Sequence, residues 1–198
     1  METIINFLSA SLSLFRFLRL TLFYTNRTIV RYFRKKGAKI GEDCSFVVRW
    51  LGSEPYLVDI GNHVYLAKGV LLQTSCISWM VSKEDASVRI FGRIVIEDNC
   101  FIGINAQIMP NVRIGKNSIV GAGSVVINNV PPNCIVMGIP ARVIGSSIKY
   151  KEKVITMWNS QKPPGWPFKN PKEKITMLQK YIRDTQSIID TNHDADAI

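Results

Sequence analysis

Residues 96–126 read Ile96-Glu-Asp-Asn-Cys-Phe-Ile102-Gly-Ile-Asn-Ala-Gln-Ile108-Met-Pro-Asn-Val-Arg-Ile114-Gly-Lys-Asn-Ser-Ile-Val120-Gly-Ala-Gly-Ser-Val-Val126. An aliphatic residue returns at every sixth position. Four residues after most of them comes a second small or apolar residue: Cys100, Ala106, Val112, Ser118 and Ser124. A period of six is neither the 3.6 of a helix nor the simple alternation of a strand. It is the repeat of a parallel β-helix, in which each short strand gives one aliphatic residue to the core and Gly, Asn or Asp turns the corner.

The phase extends outward in both directions. Ile60, Leu66, Leu72 and Ile90 precede the stretch, with Val64, Val70, Cys76 and Ile94 as second positions, and Val130 follows it. Residues 40–145 are therefore expected to form a mainly β domain of about six coils of 18 residues, counting one excursion, stacked at roughly 4.8 Å. Two interruptions break the count. Ile40 is out of phase with Ile60, so the chain near Trp50 to Pro55 forms a bulge or loop. Residues 73–89 place polar residues and Trp79 where aliphatics should recur, which reads as a loop thrown out from the wall. Such excursions from a rigid scaffold commonly carry function.

On either side lie two appendages, residues 1–39 and 146–198. Ile4, Leu8, Leu12, Phe15, Leu18 and Leu22 share one helix face, and Arg31, Arg34, Lys35 and Lys36 follow among Ile29, Val30, Tyr32 and Phe33. A wide apolar helix leading into a basic one fits a peripheral contact of residues 4–39 with an acidic membrane surface. The alternative is that the apolar face caps the open end of the main domain or packs on a partner subunit. Arg16 and Arg19 make the apolar stretch too short to span a bilayer. The start lacks the positive region and cleavage site of a secretory signal, so the expected location is cytoplasmic, with the inner membrane face as a variant. The tail is Lys-rich, carries Pro163-Pro164-Gly165-Trp166-Pro167 as a rigid linker, and ends in a helix over 171–190.

Composition narrows the function classes. The chain has 198 residues, 25 Lys+Arg against 15 Asp+Glu, a formal charge of +10, four Cys and two His. Such a balance favours anionic partners without choosing among them. His63 and His193 match no ligand spacing and the cysteines form no C-x-x-C pair, so no metal site is expected. The basic residues gather at the ends with no recurring aromatic-basic surface, which disfavours nucleic acid.

Residues 40–145 resemble the hexapeptide-repeat acyltransferases, in particular the branch that O-acetylates sugars and surface polysaccharides. The residues that carry the likeness are those of 60–70, 96–112 and 114–126 together with Gly138-Ile-Pro-Ala-Arg-Val-Ile144. The resemblance implies a left-handed β-helix, a homotrimer, acetyl-CoA as co-substrate without a metal, and a saccharide acceptor. It also implies that Gly103, Asn105, Gly121, Ala122 and Gly123 line the pantetheine groove and that Arg142 faces the adenosine 3′-phosphate. Ile127-Asn128 stand where the family often has Thr-Lys, which removes one cation.

Acyl transfer to a hydroxyl needs a base to take its proton, and a histidine near neutrality suits the task. By the resemblance, Ser75 stands at the family histidine and Cys76 at its acidic neighbour, or, with a shift of one residue, Cys76 stands at the histidine position; neither register restores a base. A serine hydroxyl is far too weak a base at pH 7. Four substitutes are considered: His63 acting across a subunit boundary, Cys76 as an acyl-carrying nucleophile that would by default fill the core, and Glu84 or Asp85 as bases with raised pKa if buried. The competing expectation is a trimeric β-helix that has lost catalysis and only binds.

Overall fold

The computed structural model describes residues 25–76, 83–85, 87–163, 166–167 and 170–191. The apolar helix expected over residues 4–23 lies outside the described residues. Short strands, most of two residues, build three faces of a left-handed parallel β-helix. The first face stacks β1 (Lys39–Ile40), β3 (Val58–Ile60), β8 (Ile94–Ile96) and β11 (Arg113–Ile114). The second stacks β2 (Ser45–Phe46), β4 (Tyr65–Leu66), β9 (Phe101–Ile102), β12 (Ile119–Val120) and β14 (Cys134–Gly138). The third holds β5 (Leu71–Leu72), β10 (Gln107–Ile108) and β13 (Val125–Val126).

The register explains the period of six. Ile40, Ile60, Ile96 and Ile114 pair in one column, Leu66, Ile102, Val120 and Val136 in another, and Leu72, Ile108 and Val126 in the third. Nearly all are fully buried. Each inward aliphatic thus meets its counterpart from the next coil, and burying one such side chain is worth about 1.5–3 kcal/mol. The neighbouring residue of each strand points outward, as strand geometry requires.

Corners repeat as strictly as strands. Asp43, His63, Asn99, Asn117 and Asn133 all adopt φ between +54° and +61°, a region that Asn, Asp and His tolerate better than other side chains. The three asparagine side chains form a ladder: Asn99 Nδ2 donates to Asn117 Oδ1, and Asn117 Nδ2 to Asn133 Oδ1, both at 2.9 Å, while His63 pairs with Asp43.

Three expectations need correction. The wall amounts to between four and five turns rather than about six, because residues 75–91 leave it and contribute no turn. Ile90 is exposed instead of core-facing, and Cys76 is exposed instead of core-filling. Both belong to the excursion, whose root is an antiparallel pair of β6 (Ser75–Cys76) with β7 (Ile90–Phe91). The phase of six persists there in sequence but not in structure. Near Trp50 the expected loop contains buried Leu51 and a 3₁₀ turn at Pro55–Leu57.

Helix α1 (Asn26–Lys35) starts at a Thr25 capping box with Thr28 and buries Ile29, Val30 and Phe33 in the main core. Arg34 reaches across to the carbonyls of Ile40 and Gly41 and to Glu42. The apolar side of α1 therefore covers the open end of the coil, which is the tertiary alternative to lipid contact for this part of residues 4–39. After β14 the chain reverses into antiparallel β15 (Ala141–Ser146), closing the other end.

A first contact unit ends at Ile148 and a second begins at Lys149. Helix α2 (Ser147–Gln161) was not expected from the sequence, because Lys149, Lys151 and Lys153 dilute its apolar positions. Helix α3 (Pro171–Thr191) lies where a terminal helix was expected. In the second unit Trp158 and Trp166 meet edge to face at 5.3 Å. No helix of the described residues is long and apolar enough to cross a membrane.

Replacing Asn117 by Ala removes two ladder bonds and puts a Cβ-bearing residue without local hydrogen bonding in the left-handed region. A loss of about 1–2 kcal/mol is expected, and a smaller one for Asn117→Gly. Urea unfolding midpoints of the two variants measure the difference.

Candidate active site

The excursion, the corner ladder and the last coil each hold expected site residues. At the excursion, Ser75 opens β6 half-buried, opposite Phe91, and the Gly92 amide donates to the Thr74 carbonyl at 2.9 Å. The two ends of the excursion are thereby pinned together. Thr74, just before Ser75, is 1% exposed although polar. Its hydroxyl donates to Glu54 Oε2 at 2.7 Å and accepts from the Glu54 amide at 3.2 Å.

Glu84 and Asp85 are both fully on the outside. The Ser87 hydroxyl and amide bond Asp85 Oδ1 at 2.6 and 2.7 Å and hold its carboxyl below the usual range. Neither residue meets the condition of burial under which it was considered as a base. Cys76 faces solvent, whereas burial raises the thiol of Cys44 and pushes that of Cys100 up to about 11. Cys44 and Cys100 occupy equivalent inward corner positions, and each Sγ lies 3.2 Å from a glycine carbonyl one coil on.

His63 occupies the asparagine position of the corner ladder, with Nδ1 2.7 Å from Asp43 Oδ2. Its side chain is two-thirds exposed. A carboxylate on Nδ1 leaves Nε2 as the basic nitrogen, but the left-handed corner already accounts for a His at this place. The structure does not bring His63 into contact with Ser75 within one chain through any hydrogen bond of either residue.

On the donor side the expected residues divide. A Cβ at Gly103 would lie 2.6 Å from the Ala122 amide nitrogen, and the Asn105 amide donates to the Lys68 carbonyl at 3.0 Å. Coil stacking suffices to explain both. Ala122 and Gly123 are exposed, and a Cβ at Gly123 would meet no atom within 4 Å. This strip continues to Gly121, which lies beneath Met137, the register partner of Arg142. The exposed Arg142 borders a hollow lined with Val126, Asn128, Asn129, Val130 and Ala141. The open Ala122–Gly123 corner leaves room for a narrow chain, and the guanidinium fits a phosphate.

Sequence reading missed Glu54 and Asp43. Glu54 sits in a loop without a repeat phase, and its partner Thr74 is twenty residues away. Asp43 was legible in principle, since it holds the same corner position one coil before His63.

Residues 93–128 match the model of the bacterial transferase hexapeptide family, described as six repeats. Across 152 residues the chain is 41% identical to Protein CapG of Staphylococcus aureus, covering 75% of this chain and 86% of that one. The chain belongs to the bacterial hexapeptide transferases. Within that family it is 38% identical over 92 residues to the galactoside O-acetyltransferase of Escherichia coli K12, covering 46% of this chain and 45% of the relative. The structure of a hexapeptide-repeat acetyltransferase of Vibrio cholerae in complex with acetyl-CoA matches with a TM-score of 0.52 and 25% identity, over 65% of this chain and 81% of that chain. This hexapeptide transferase is an acyltransferase.

Exposure and protonation give a chemical ranking of its thiols. Cys76 should react with a thiol-specific disulfide reagent in the native protein at pH 8, while Cys44 and Cys100 should react only after unfolding. Timed labelling followed by peptide mass analysis reads this directly.

Proposed function

We propose that the protein transfers the acetyl group of acetyl-CoA to a hydroxyl of a saccharide, of the kind incorporated into a surface polysaccharide, and that it works as a homotrimer. The acetyl-CoA complex of the Vibrio cholerae relative, which shares the wall, carries the donor assignment. Identity to a galactoside O-acetyltransferase over 92 residues supports the acceptor class.

Acetyl-CoA supplies the activated thioester. The exposed backbone of Ala122 and Gly123 would flank its pantetheine arm, Gly103, Asn105 and Gly121 would shape the wall behind it, and Arg142 would pair the 3′-phosphate. An assembled trimer is supported by the second face, where Tyr65 and Phe101 stack at 5.3 Å while 37% and 43% exposed, next to Ile119 and Ile135. An apolar stripe of this kind is usually covered by a partner.

The test is a thermal shift with acetyl-CoA and release of free CoA thiol with methyl hexosides and nucleotide-linked hexosamines. Stabilisation by acetyl-CoA and acceptor-dependent thiol release are expected. No shift together with no thiol release from any saccharide would overturn the proposal. Arg142→Ala should weaken acetyl-CoA binding about tenfold, within the usual range for a charge-assisted contact. It should leave 3′-dephospho-CoA binding unchanged, as calorimetry would show.

A further inference from the structure

Resting on that proposal, we infer that Glu54 is the proton acceptor for the saccharide hydroxyl. Transfer to an alcohol requires a group that takes its proton as the oxygen attacks. Among the described residues only one histidine is found, and it is paired with Asp43. The carboxylates near the wall divide by partner. Glu42 is tied to Arg34, Asp59 to Arg93 and Glu97 to Arg113 and the Lys116 amide. Asp98 accepts from the amide and side chain of Asn62. A guanidinium partner, with its full charge, opposes proton uptake by a carboxylate more strongly than a single neutral hydroxyl, which also orients it.

Glu54 is half-buried and held by such a hydroxyl. The buried Thr74 Oγ lies between the amide and Oε2 of Glu54 and fixes the rotamer through both. The backbone at Glu54 is fixed in turn, since its carbonyl accepts from the Leu57 amide at 2.9 Å. Gly52 lets the loop come this close: at φ +73° a Cβ there would stand 2.6 Å from both Leu72 O and Thr74 Oγ1. The result is one oriented carboxylate held by Thr74, the residue before Ser75 at the root of the excursion, with Oε1 outside both of these bonds.

In the proposed step Oε1 takes the hydroxyl proton while the acceptor oxygen attacks the thioester carbonyl. The C–O bond forms, the C–S bond breaks, and Glu54 returns the proton to the departing CoA sulfur. Glu54 thus relays one proton from the acceptor hydroxyl to the CoA sulfur per turnover, with no net change in the enzyme. Thr74 acts as a positioning residue.

Saturating acetyl-CoA and the best saccharide from the panel above test this in the full-length protein. Glu54→Gln should lower kcat by 10²–10⁴-fold, the usual span for a general base, with the KM for acetyl-CoA unchanged. Sodium formate should restore part of the turnover to Glu54→Ala. Thr74→Val should lower kcat about tenfold without raising the KM for acetyl-CoA. Circular dichroism and the acetyl-CoA thermal shift verify that each variant is folded and binds donor. Glu54→Gln retaining a kcat within threefold of the parent, or His63→Ala removing turnover instead, overturns the inference alone. A parent protein that releases no CoA with any acceptor overturns the functional proposal and this inference with it.

Discussion

Backbone amides donating from each coil to the next set everything else in this molecule. The amides of Gly61, Gly103, Gly115 and Gly121 each bond the carbonyl of an aliphatic residue one coil further on, at 2.8–2.9 Å. Those bonds align like with like along the axis. Aliphatic residues then stack in three columns, corner residues in a ladder, and outward side chains in rows whose chemistry is free to vary. Because the wall is nearly invariant, function must be written on its outward rows, its ends and its interruption.

Those three places carry different chemistry. The last coil presents the open corner at Ala122–Gly123 and the exposed guanidinium of Arg142. The second face presents stacked aromatics suited to another copy of the chain. The root of the excursion presents an oriented carboxylate. Among the described residues, only at that root does the buried interior contain a threonine hydroxyl linked to an acid, and interior polar groups persist when each has its partner.

Much of the wall was legible because its constraint is periodic. Ile96 to Val126 declare the repeat, and the stacking of identical positions leaves no other reading. Ile90 and Cys76 show where periodicity misleads: they keep phase by coincidence, while the antiparallel pairing at the root takes them out of the core. The carboxylate site was less legible. Glu54 and Thr74 meet through one side-chain contact across twenty residues, which no local spacing encodes. His63 illustrates the reverse, since a residue that looks chemical in sequence stands at a left-handed corner beside asparagines. Helix α2 escaped notice because its lysines conceal the apolar spacing.

The pinning of Ser75 to Phe91 separates two inheritances within one chain. Everything between these residues can lengthen, shorten or be exchanged without moving a single rung of the wall, since the chain re-enters at Gly92 and Ile94 in register. The loop near Trp50 does the same on a smaller scale, since Ile40 and Ile60 still pair across it. Evolution can therefore treat this neck as a socket, retailoring what is recognised there while the machinery of the coil passes unchanged.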